Sequence, residues 1–351
     1  MPANGLIYAP PHPCACYPEA KLSGFNAVSG PRDTDNSAEL SKSARLVKGP
    51  AYADGTGNIN NPAAVESDWP TYRGNPARSG STELPVKTDL KSQWELKIGG
   101  KLSQPVVAGG RVFVSAVDQH TLYAIDQNSG KIAWKYITGG RIDSPPTIYK
   151  GMALFGSADG FVYCLRASDG ALAWRFRAAP YDQRLMVWEQ LESVWPVHGS
   201  ILIRNDVAYL IAGRSMFLDG GLTLYLLDPL TGEVLSSVKM DDKDPNMEKD
   251  FHDHVNVLDM PVASSDILSS EGDLFFMRSQ PFDLQGRRDR IEHIDIKQQR
   301  GSDAHLFVPN GFLDDNWWHR SFWVYGRSVR GGPSYWETGR ATPSGKIMVL
   351  D

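Results

Sequence analysis

Three places in this chain bring together side chains able to do chemistry. Cys14 and Cys16 stand one residue apart, two soft thiol donors close enough to pair or to share a metal. Zinc takes four ligands, so the pair alone meets half that need, and a disulfide, a metal contact and no role all stay open. His252 and His254 alternate in Asp250-Phe251-His252-Asp253-His254. On a strand they would face one side, a geometry metals accept, but their polar surroundings favour a solvated inter-blade loop. The third place is the run FLDDNWWHRSFWVYGR, where Trp317, Trp318, His319 and Arg320 mix aromatic faces with cations. Such a set suits a recognition surface, and suits core packing as well. No G-x-S-x-G elbow, phosphate loop or H-E-x-x-H pair occurs, and no catalytic residue is assigned.

The elements that must position these residues come from a repeat. Residues 99–138 and 139–178 are two versions of one segment, and Trp94, Trp134 and Trp174 stand 40 residues apart. Within each copy, short apolar runs such as 112–117, 122–125 and 132–137 are punctuated by Gly, Asp, Asn and Ser. That pattern predicts strands joined by hairpin turns, with no sustained helical spacing. Roughly four strands in about 40–45 residues predict a blade of an all-β propeller. Residues 206–214 repeat 151–159 after an insertion at about 181–196, and 265–278 show the same strand–turn–strand form. Cys164 falls in a predicted strand, where a small buried side chain is expected.

Residues 124–134 read A-x-D-x-x-S-G-x-x-x-W and resemble the tryptophan-docking repeat of PQQ-type propellers, the group of quinoprotein alcohol dehydrogenases and BamB-like assembly proteins. The second copy keeps Gly170 and Trp174 but has Arg166 and Asp169 in place of Asp126 and Ser129. The third keeps Asp228, Thr231 and Gly232 but has Ser236 at the tryptophan position. The resemblance implies that Trp94, Trp134 and Trp174 pack between neighbouring blades against turns containing Gly130, Gly170 and Gly232. Trp69-Pro70, followed by Arg73-Gly74, is similar to a lead-in before a first blade. The longer pattern resembles large planctomycete propeller proteins. The resemblance implies a place outside the cytoplasm, where a disulfide of Cys14 or Cys16, within the pair or to an upstream cysteine, would persist.

The expected organisation is the end of a preceding blade at 1–28, a flexible linker or long loop at 29–66, and PQQ-like blades at 67–351. The linker expectation rests on a Ser-, Asn-, Asp- and Gly-rich stretch with few large apolar residues. The strand-like residues 344–351 and the start of the chain both read as parts of incomplete blades, so a fragment or an incomplete ring is expected.

A net charge of −5 leaves no basic footprint for nucleic acid, and no apolar span or signal peptide is visible. Quinoprotein dehydrogenases need PQQ, a Ca²⁺ held by six to eight oxygens and a catalytic Asp. Those residues find no match here one by one, and the cofactor-binding set is unassigned. The expectation is therefore a non-catalytic periplasmic or cell-envelope scaffold for a protein or small ligand. Its binding face falls where the repeat is broken, at Arg184 and Trp188 in the insertion and at Trp317, Trp318, His319 and Arg320. The alternative is a PQQ- and Ca-dependent dehydrogenase or its degenerate relative.

Overall fold

Paired left-handed residues make the tight hairpins that the glycines announced. Gly109-Gly110, Lys150-Gly151 and Asn205-Asp206 all have positive φ, the geometry of two-residue turns whose twist matches flanking strands. A computed structural model describes residues 1–10, 19–20, 22, 24–30, 41, 43–53, 68–187, 189–247, 249–254, 260–289, 298–313, 322–328 and 342–348.

Three antiparallel blades of four consecutive strands follow one another. The first is Val106–Ala108, Arg111–Ala116, Thr121–Asp126 and Ile132–Ile137; the second is Thr147–Tyr149, Met152–Gly156, Phe161–Arg166 and Leu172–Arg177. The third is Leu202–Arg204, Val207–Ala212, Leu222–Leu227 and Val234–Met240. Two three-stranded sheets continue the series: Ser269–Glu271, Leu274–Met277 and Gln280–Asp283, then His305–Phe307, Trp323–Gly326 and Ser344–Gly345. The fold is a PQQ-like β-propeller, nearly all β. Its apolar clusters lie between successive blades, because neighbouring sheets bury their facing surfaces against each other.

The turn before each outer strand is the same in all three four-stranded blades, although its sequence is not. The ladder shifts register at Ala124/Ile125, Cys164/Leu165 and Leu226/Leu227, a bulge that bends the strand. The amides of Gly130, Gly170 and Gly232 then donate to the carbonyls of Asp126, Arg166 and Asp228 at 2.8–2.9 Å. Asp126 Oδ1 accepts the Ser129 amide, and Asp228 Oδ1 accepts the Thr231 amide. In the second blade the carboxylate has moved to Asp169, which accepts the Ala171 amide and pairs with Arg166. The two substitutions noticed in the sequence thus compensate each other.

An ideal Cβ on Gly130, Gly170 or Gly232 would meet the indoles of Trp94, Trp134 and Trp174 at 2.6–2.7 Å. Each indole therefore lies flat on the glycine turn of the following blade. Trp94 and Trp134 Nε1 donate to the carbonyls of Gln127 and Ala167, while Trp174 Nε1 is buried without a partner. Where Ser236 replaces tryptophan, Leu224, Leu226 and Val238 fill that place against Gly286 of the fourth blade.

Residues 68–80 do more than lead into the first blade. Trp69 exchanges two backbone hydrogen bonds with Val107, and Pro70 accepts the Ile148 amide. Thr71 bonds Thr147, Pro76 accepts the Ser270 amide, and Arg78 Nε donates to the Leu268 carbonyl. Arg73 lies 4.5 Å over the Trp323 ring. One short segment thus ties inner strands of the first, second and fourth blades to the fifth.

Part of the stretch expected to be a linker is built into the sheet. Leu46–Lys48 adds a fifth strand to the outer edge of the second blade, pairing with residues 174–176. Arg45 Nη1 donates to the Tyr225 hydroxyl of the third blade, and Ala51 is buried. A few apolar residues suffice because an exposed ladder supplies the hydrogen bonds. At the N-terminus, Pro2–Ala3, Leu6–Ala9 and Asn26–Val28 form a small sheet. Buried Glu19 accepts both the amide and hydroxyl of Ser279. Among the described residues no helix is long and apolar enough to cross a membrane.

Candidate docking face

The insertion that breaks the repeat folds as a separate hairpin, Arg184–Val187 paired with Gln190–Ser193. Glu189 takes a left-handed conformation in its turn. Met186 and Leu191 are directly opposite each other in the ladder and are 65% and 55% exposed. Cross-strand neighbours share one face, so the hairpin displays an apolar pair to solvent. Arg184 beside it is exposed, with Asp182 at 3.4 Å.

A charged network braces this hairpin against the blades. Arg141 Nε is 2.5 Å from Glu192 and 3.8 Å from Asp143, and Asp143 is 2.7 Å from His198 Nδ1. Gln190 bonds His120 of the first blade at 2.8 Å, and the Ser193 amide donates to the Ala158 carbonyl of the second. Burial raises the Glu192 carboxyl, and Arg141 only partly opposes it. Burial also works to raise Asp143, but the hydrogen bond and charge of His198, with Arg141, hold it below the usual carboxylate range. Arg141 is raised: burial pulls it down, and Asp143 with Glu192 outweighs that.

These directions have opposite consequences. The ionised form of Glu192 disfavours the folded state, and the cost disappears as pH falls through its raised value. The stability from ionised Asp143 is complete above the ordinary carboxylate range and is lost below it. Glu192→Gln is therefore expected to cost less than about 1 kcal/mol at neutral pH, whereas Arg141→Met strands two buried carboxylates and costs on the order of 2 kcal/mol. Urea denaturation of both variants checks this; equal losses would mean that Arg141 is not the brace.

Asp143 and His198 form the carboxylate–imidazole pair that orients a general base. No hydroxyl or thiol among the described residues bonds the second imidazole nitrogen of His198. Sequence reasoning missed this network. The signal was Asp143 standing where Ser103 stands in the first repeat, beside the conserved charge of Lys101 and Arg141.

His252 and His254 fall on a helical turn, Phe251–His254, instead of the strand considered for them. Phe251 anchors the turn in the core, and His252 lies 5.5 Å from the Phe217 ring. Cys14, Cys16, Trp188, Trp317, Trp318, His319 and Arg320 lie outside the described residues. Nearby Phe312, Phe322 and Trp323 pack with Tyr72. Cys164 is a buried free thiol whose pKa burial pushes up. Among the described residues no three His, Cys, Asp or Glu side chains converge for a metal.

A family model described as outer membrane protein assembly factor BamB matches residues 87–280, just over half of the chain. The chain belongs to this family. The BamB-like assignment also rests on curated relatives. The outer membrane protein assembly factor BamB of Moranella endobia is 33% identical over 75 residues, 21% of this chain and 19% of its own. That of Yersinia pestis is 29% identical over 94 residues, 26% of this chain and 23% of its own. The chain thus spans about a fifth of the length of the curated relatives it matches. The solved quinohemoprotein alcohol dehydrogenase from Comamonas testosteroni is 20% identical, with a TM-score of 0.42, over 56% of this chain and 31% of its own. That partial likeness says nothing about activity here.

Proposed function

We propose that this BamB-like propeller is a non-catalytic binding or assembly scaffold of the cell envelope, acting in the periplasm. Its mechanism is presentation: rigid blades hold the hairpin of residues 184–193 out as a docking prong for a protein partner. The observation that carries this reading is the exposed Met186–Leu191 pair on a hairpin braced by buried charges. Desolvating an apolar pair beside a charged rim is what protein recognition exploits. The family match supports it, because the matched residues include the hairpin and the family is described as an assembly factor.

Photo-crosslinking groups placed at Met186 and Leu191, in solubilised envelope fractions, are expected to capture one partner that a group at exposed Lys131 does not. Arg184→Glu combined with Glu189→Lys should reduce that capture at least tenfold; unchanged capture would remove the hairpin from the interface. Titration with PQQ and Ca²⁺ tests the dehydrogenase alternative. Saturable one-to-one quenching of tryptophan fluorescence, with dye-coupled alcohol oxidation, would overturn the scaffold.

A further inference from the structure

The first and second blades meet at a cationic crevice. Tyr163 faces Arg175 across the second blade's ladder, and Phe161 faces Arg177. Alternate strand positions share a side, so these four side chains stand together on one face of that sheet. The Tyr136 ring of the first blade meets the Tyr163 ring edge-on at 5.8 Å, and the Arg175 guanidinium lies 5.0 Å over the Phe161 ring. Tyr163 donates its hydroxyl to Asp159 at 2.7 Å. Among the described residues, the Tyr136 hydroxyl has no hydrogen-bond partner and Arg175 has no ion pair, its Nε being buried and unbonded. Arg177 reaches only Asp182, an exposed carboxylate at 3.5 Å. Tyr136, Phe161, Arg175 and Arg177 are all half-buried, so solvent reaches the crevice. Burial raises the Tyr136 phenol while the charge of Arg175 works against it, which sets the cation beside the hydroxyl.

The same place one blade further on shows what such a crevice takes. Phe176 and Tyr225 meet edge-on at 5.3 Å between the second and third blades. There Leu46–Lys48 is added along the outer strand, with Leu46 opposite Phe176, and buried Arg45 donates to the Tyr225 hydroxyl at 2.9 Å. An added segment thus carries a side chain in between two blades. The outer strand of the first blade, Ile132–Ile137, is the last of its sheet, and Ile132 and Ile137 are 47% and 65% exposed. Here the cation already belongs to the blade, at Arg175, so the complementary incoming group is an anion.

We propose that an extended acidic segment of a protein partner adds antiparallel to Ile132–Ile137 and places a carboxylate between Arg175 and the Tyr136 hydroxyl. This second contact surface rests on the scaffold reading and names the chemistry of the partner. The second blade sets the register. The partner residue opposite Tyr136 takes the place of Leu46, and the acidic residue before it takes the place of Arg45. Backbone bonds hold the segment, and guanidinium with phenol selects its charge.

The test uses the intact chain and the peptide acetyl-Ser-Ala-Glu-Leu-Val-Lys-amide, which copies residues 43–48 with glutamate at the arginine place. Fluorescence anisotropy of the labelled peptide is expected to show saturable one-to-one binding, at least tenfold weaker when glutamine replaces the glutamate. Arg175→Gln should abolish the difference between the two peptides, and Tyr136→Phe should reduce it a few-fold. The peptide's valine stands for Val47, which lies opposite Arg175. N-methylation of that valine removes a ladder bond and should prevent binding. Equal binding of both peptides to the unsubstituted chain, no binding, or binding that survives N-methylation would overturn the proposal. Partner capture at Met186 and Leu191 by a chain that binds no acidic peptide would overturn this contact and leave the scaffold reading in place.

Discussion

Trp174→Ala is expected to destabilise the protein by about 3–5 kcal/mol, the usual cost of emptying a large aromatic core site. Trp174 is fully buried, with Ala173, Phe176 and Tyr225 around it, and lies on the Gly232 turn with Leu46 beside it. The loss therefore reaches two blades and the added fifth strand together. Trp134→Ala should fall at the lower end of the range and Trp94→Ala below it, following their greater exposure. Phenylalanine separates packing from hydrogen bonding. Trp134→Phe leaves the Ala167 carbonyl without its donor, whereas Trp174→Phe removes an indole N–H that has no partner. Urea denaturation should therefore show Trp134→Phe as the costlier of the two by about 1 kcal/mol. An alanine loss below about 1 kcal/mol would mean that these rings do not hold neighbouring blades together.

Arg78→Ala is expected to cost on the order of 3–5 kcal/mol, because it strips a buried cation from acceptors that water cannot reach. Its guanidinium donates to the Leu268 carbonyl, the Thr71 hydroxyl at 2.6 Å and the Tyr72 carbonyl at 3.1 Å. Burial pushes its pKa down to about 10, opposed by the nearby charges of Tyr72 and Asp266. A depressed value means that the folded state releases this proton first as pH rises. Stability linked to Arg78 therefore increases above about pH 10 and is flat from pH 6 to 9. Arg78→Met keeps most of the volume and should recover part of the loss. Full recovery would show that packing, not hydrogen bonding, ties the segment at 68–80 to the blades.

The sequence legible in periodicity became the blades, since strand alternation and paired glycines act within a few residues of each other. Asp126 in the first copy and Asp169 in the second show how far local reading could go. Each copy looked imperfect alone, and only the turn's geometry shows Asp126 accepting the Ser129 amide while Asp169 accepts the Ala171 amide and pairs with Arg166. His252 and His254 show the limit of local reading, because a polar run reads the same whether Phe251 draws it into a helical turn or leaves it extended.

By itself, the 40-residue spacing of Trp94, Trp134 and Trp174 determined that this is a propeller of repeated four-stranded units, because a blade cannot bury its faces alone. Only the tertiary structure decided what the exceptions to the repeat do. Leu46–Lys48 became a fifth strand, residues 68–80 became the tie among inner strands, and Arg141 met Glu192 across two inter-blade links. Such contacts join residues with no local pattern in common, so no window of sequence contains the energy that selects them.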